Sequence, residues 1–93
     1  MVPQRRLLVL ARRDAAEAMR VAAGLTIFGH AVSLVFLGEP LAETAANAAG
    51  VELLELAGIE PQTTVTAMAD ELPLLDDAAL AAAIASADAV LSL

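Results

Sequence analysis

A chain of 93 residues, 59% apolar and with two aromatics, Phe28 and Phe36, reads as one domain with a thin core, and it is too apolar for disorder. It has no cysteine, no lysine and one histidine, which excludes a disulfide framework, a thiolate nucleophile, Schiff-base chemistry, a Walker-type phosphate loop and a two-histidine zinc site. The formal charge is -7 and unevenly spread: Arg5, Arg6, Arg12, Arg13 and Arg20 are the only cations, while every carboxylate except Asp14 and Glu17 lies beyond them, a balance that repels nucleic acid and anionic membrane and suits a basic protein partner.

In chain order, Arg6–Ala11 is a short apolar run with the look of a central strand covered on both faces. Arg5-Arg6 before it mimics a signal peptide, but Arg12-Arg13 closes the run before a secretory core of roughly 7–15 residues is reached. Asp14 offers an N-cap, with Glu17 at capping-box spacing, for a helix over Ala15–Phe28 that Gly29 ends. The polar stripe of this helix is narrow (Glu17, Arg20, Gly24). Met19, Ala22, Ala23, Thr26 and Ile27 suit a sheet, and Ala18, Val21, Leu25 and Phe28 cover another side, so a second cover, a neighbouring subunit, is expected. The uncharged stretch Val21–Gly38 is near the lower limit of a membrane span. Its break at Gly29-His30 instead divides it into a helix and a second strand, Ala31–Leu37, which points to a soluble, cytoplasmic protein.

Gly38-Glu39-Pro40 ends that strand. Leu41–Ala49 and Val51–Ala57 read as helix interrupted at Gly50, with Gly58 as its stop. After Pro61, the β-branched Thr63, Thr64, Val65 and Thr66 predict a third strand over Gln62–Met68. Asp70–Leu75 is a loop with room for a short extended piece. Asp76 or Asp77 caps a helix over Ala78–Ala87, and Asp88 leads into a strand over Ala89–Leu93. The alternation of strands and helices predicts an α/β fold: a three-layer sandwich around a mostly parallel sheet of four or five strands.

Open parallel sheets bind ligands beyond the carboxyl ends of their strands. There, Arg12, Arg13 and Asp14 precede a helix N-terminus and form a candidate anion site, beside the plainer reading of two solvated arginines and a cap. Glu39 after the second strand is a candidate contact residue or a turn carboxylate. Asp70-Glu71 is a candidate cation or acid–base pair, or simply solvated. His30 reads as a turn residue whose ring caps helix carbonyls. Thr63, Thr64 and Thr66 carry strand propensity before chemistry, because no base accompanies them. No catalytic constellation, metal site or cofactor motif is evident.

The unit Leu7–Gly38, with Phe28-Gly29-His30 followed by Ala31–Leu37 and Gly38-Glu39, resembles the opening of DsrE/DsrF-like sulfur-relay proteins, the family of the TusBCD subunits. Leu53–Ile59 resembles their second-helix end, and Asp77–Leu93 their closing helix and strand. The resemblance implies a flavodoxin-like subunit that assembles into trimers or hexamers with itself or with DsrE-like partners. It also implies a persulfide cysteine just after the third strand, where this chain has Thr66 or a near neighbour. The role that fits is a non-catalytic assembly subunit, with a small-anion- or ligand-binding oligomer as the alternative.

Overall fold

The first apolar run lies inside a sheet. The computed structural model describes residues 4–93. Strand β1 (Arg6–Ala11) pairs on one side with β2 (Ala31–Phe36) and on the other with β4 (Ala89–Ser92), while the two-residue β3 (Gln62–Thr63) pairs with β2. The order is β3-β2-β1-β4 and every pair is parallel. Leu7 to Ala11 are all buried, as a strand covered on both faces requires.

The alternation of side chains along the strands divides the core in two. Val9, Ala11, Leu34 and Phe36 pack with helices α1 (Ala15–Ile27) and α2 (Ala45–Ala57). Leu8, Leu10 and Val35 face the other way, toward Leu80, Ala83 and Ala87 in and just after α3 (Asp77–Ser86). The result is the expected α/β three-layer arrangement, compatible with a flavodoxin-like sandwich.

Helix α1 buries Ala18, Met19, Ala22 and Ala23. On another side it packs against α2 of the same chain. A Cβ placed on Gly50 would lie 2.6 Å from Met19 Cε and 3.1 Å from Met19 Cβ. Gly50 therefore does not interrupt α2, which runs unbroken past it; the missing side chain is what admits Met19. Ile27 and Phe28, expected to be covered, are 82% and 78% exposed, because the helix ends at Ile27 and Gly29 turns the chain away with φ +90°.

Caps set the other boundaries. The Asp14 carboxylate accepts from Glu17 N at 3.1 Å, but the reciprocal half of a capping box is missing. Glu17 instead accepts from Arg20 Nε at 3.0 Å, and this guanidinium holds the Glu17 carboxyl below its usual range. Helix α2 starts at Ala45, later than the expected Leu41. Thr44 Oγ1 accepts from Asn47 N at 3.1 Å while Asn47 Nδ2 donates to Ala42 O at 2.9 Å, which fixes residues 41–44 outside the helix. Gly58 ends α2 in the left-handed region, as expected. Asp76 caps α3 through Ala79 N at 2.7 Å.

The third strand is much shorter than its β-branched residues predict. Thr63 Oγ1 accepts from Val65 N at 2.9 Å and donates to Phe36 O at 3.2 Å, so a local side-chain turn replaces the ladder. The chain then forms a 3₁₀ turn over Thr66–Met68. The short extended piece expected in the following loop is present as a bridge between Thr63 and Leu74. His30 does not cap helix carbonyls. Its Nδ1 accepts from Arg5 N at 3.2 Å, because the ring follows the turn toward the start of β1.

Candidate functional site

In a parallel sheet the ligand crevice opens where neighbouring strands are reached by connections running in opposite directions. Here that point lies between the carboxyl ends of β1 and β4, and it is closed from within. A backbone oxygen of Leu93 accepts from Arg13 N at 2.8 Å, Arg12 N at 3.0 Å and Asp14 N at 3.4 Å. Arg12 Nη1 also lies 3.5 Å from Ser92 Oγ. Three backbone donors on which an anion site after β1 would draw are thus engaged by β4's own continuation, and a fourth, Glu17 N, is held by Asp14.

The open space lies one strand over, above the carboxyl ends of β1 and β2. It is a cleft of about 360 Å³. The β1–α1 loop contributes Arg12, Arg13 and Asp14, the turn after β2 contributes Glu39, and the start of α2 contributes Thr44 and Asn47. The fold therefore brings together all four residues expected at the anion or ligand site. Arg12, Arg13, Asp14 and Glu39 are exposed, and the one ion pair among the described residues is Arg20 with Glu17. The N-termini of α1 and α2 border the cleft, and each contributes about 0.3–1 kcal/mol toward an anion at a surface site. The Asp14 and Glu39 carboxylates oppose it. Chemically the cleft suits a ligand that carries both signs of charge, or an anion held by the arginine side.

The other candidates lie elsewhere. Thr66 opens the 3₁₀ turn, is exposed, and lines neither this cleft nor the larger hollow beside it. Asp70 and Glu71 border that larger hollow, and among the described residues no three His, Cys, Asp or Glu side chains gather closely enough for a metal ion.

Sequence reasoning did not anticipate Leu93 as the acceptor that closes the crevice. It also missed Asp88, whose Oδ2 accepts from Arg6 N at 2.8 Å while its own N–H donates to Arg6 O at 2.8 Å. Both join residues about eighty positions apart, and no local spacing signals them. Thr44 and Asn47 were legible: a threonine three residues before an asparagine, ahead of an alanine-rich run, has the form of an N-cap.

No protein-family model, curated protein or solved structure matches the chain. Fold and cleft together define a parallel three-layer α/β domain with a polar cleft above its two middle strands. Among the described residues no helix is long and apolar enough to cross a membrane.

Proposed function

We propose that this chain is a non-catalytic assembly subunit, or a self-assembling homologue of one, in a cytoplasmic DsrE-like sulfur-relay system. The observation that carries the reading is α3. Between Asp77 and Ser86 every residue is Ala, Leu or Ile, yet none of them is buried. Beside it, Val90 on the flanking strand β4 is 41% exposed. A helix without a polar face packs on two sides in a finished structure, and here one side lacks its cover. The resemblance of Phe28–Glu39 and Asp77–Leu93 to DsrE-like subunits supports the same reading. The chain has no thiol to carry a persulfide, so the sulfur would reside on a cysteine-bearing partner, and this chain would supply contacts.

Native mass measurement tests the reading. A trimer or hexamer is expected, alone or with DsrE-like subunits, with on the order of 800 Å² buried per subunit. Ile84→Glu, on the exposed part of α3, is expected to dissociate it while circular dichroism stays unchanged. A monomer at micromolar concentration would overturn the proposal.

The cleft above β1 and β2 favours a second reading, in which the domain binds a small anion or ligand. Sulfate is then expected to raise the melting temperature, and Arg12→Ala combined with Arg13→Ala to abolish that rise while leaving α1 folded. A double variant that keeps the full response would mean that the two arginines are ordinary surface charges.

A further inference from the structure

A hollow larger than the cleft adjoins it and shares Leu41, Thr44 and Asn47 with it. It measures about 700 Å³ and opens between the first half of α2 and the segment that follows β3, within the range of sites that hold small ligands. Its walls are mainly apolar: Phe36, Leu41, Val51, Met68 and Leu72. Glu43, Asp70 and Glu71 are the only charged groups that line it, and all three are exposed. Its neutral polar side chains, Thr44 and Asn47, bond to backbone at the start of α2. Thr44 Oγ1 accepts from Asn47 N, and the Asn47 amide donates to Ala42 O. Recognition by charge in this hollow is therefore recognition of a cation.

The kind of cation follows from two facts. The carboxylates do not gather into a group able to chelate a metal ion, a statement that holds for the described residues. The floor between them is hydrocarbon and thioether, which a bare ion would leave unused. We propose that this hollow is a binding site for a small amphipathic organic cation. Its alkyl or aryl body lies on Leu41, Val51, Met68 and Leu72, and its ammonium or guanidinium head lies at the rim carboxylates. The volume fits a molecule of that size better than a folded domain. Arg12 and Arg13 line the adjoining cleft rather than this hollow, and among the described residues neither forms an ion pair with Glu43, Asp70 or Glu71.

The probes are hexyltrimethylammonium, the neutral hexanol and the anionic hexanesulfonate, titrated into the 93-residue chain and followed by heteronuclear NMR. Hexyltrimethylammonium is expected to shift resonances of Leu41, Val51, Met68 and Leu72 saturably, with hexanol binding more weakly and hexanesulfonate not at all. Asp70→Asn combined with Glu71→Gln is expected to weaken the cation about fivefold, the scale of two exposed charge pairs, without changing hexanol binding. Ala67→Trp, at an exposed position on the wall, is expected to abolish both. Equal affinity for all three probes would overturn the assignment, and so would binding that Ala67→Trp leaves intact. A basic amphipathic peptide that occupies the same residues much more tightly than any small cation would also overturn it, in favour of a protein partner.

Discussion

Gly50→Leu is expected to be among the most damaging single substitutions in this domain. Helices α1 and α2 touch where Gly50 meets the fully buried Met19, and a Cβ alone would already stand 2.6 Å from Met19 Cε. The end of a methionine side chain yields readily, but the Cβ-to-Cβ approach of 3.1 Å does not. Gly50→Ala is therefore a mild test. Overpacking costs about 1–3 kcal/mol, and the gain in helix propensity returns about 0.8–1.0 kcal/mol of it. Leucine adds three more carbons in the same place, and a loss of about 3 kcal/mol or more is expected, read as a fall in the urea midpoint. The partner is identified by a double-mutant cycle. Met19→Ala costs stability on its own, yet Gly50→Ala on that background is expected to be neutral or stabilising. Additive losses in the double variant would show that the two residues do not press on one another.

Thr63→Val is expected to cost about 1–3 kcal/mol despite its nearly equal size. Thr63 is wholly buried, and it is the one buried polar side chain among the described residues. Its hydroxyl lies between Phe36 O and Val65 N, at 3.2 Å and 2.9 Å. Valine leaves the Val65 N–H without that acceptor in a part-buried place, and a buried unpaired donor carries the cost. Thr63→Ser keeps the hydroxyl and is expected to lose much less. Chemical denaturation of the three proteins checks this, and equal stability of the valine and threonine forms would show that the turn does not depend on the hydroxyl.

Thr63 also shows why the third strand was misread from the sequence. Four β-branched residues in a row favour extended backbone, and nothing in their spacing reveals that a threonine hydroxyl will bond two residues ahead and end the strand. Gly50 was misread for a related reason. A glycine in a helical pattern signals a break when judged locally, and its role as the seat of Met19 exists only once two helices pack. Where the physics is local, the sequence was a sound guide. Asp14, Thr44 and Asp76 all cap helices through backbone N–H groups three residues on, and only the middle one was passed over. Gly29 and Gly58 end helices with positive φ. The cleft followed the same division. Arg12, Arg13, Asp14 and Glu39 were legible as neighbours because strand ends in a parallel sheet converge on one edge. That Leu93 occupies their backbone donors was not legible, since its bonds to Arg12 and Arg13 cross nearly the whole chain.

Those long-range bonds bear on the order in which the molecule assembles. Strand β1 can pair with β2 as soon as α1 has formed, since only α1 and its flanking turns separate them. Its other edge waits for residues 88–93. Asp88 clasps Arg6 across 82 positions, and Leu93 closes over Arg12 and Arg13. Contacts of such separation form slowly, because a long loop must close before any of them is made. Until then the most apolar strand of the protein presents an unpaired backbone edge. An unprotected edge of that kind pairs readily with another chain. Ribosome-bound or truncated chains that lack residues 88–93 are therefore expected to be the species that aggregate.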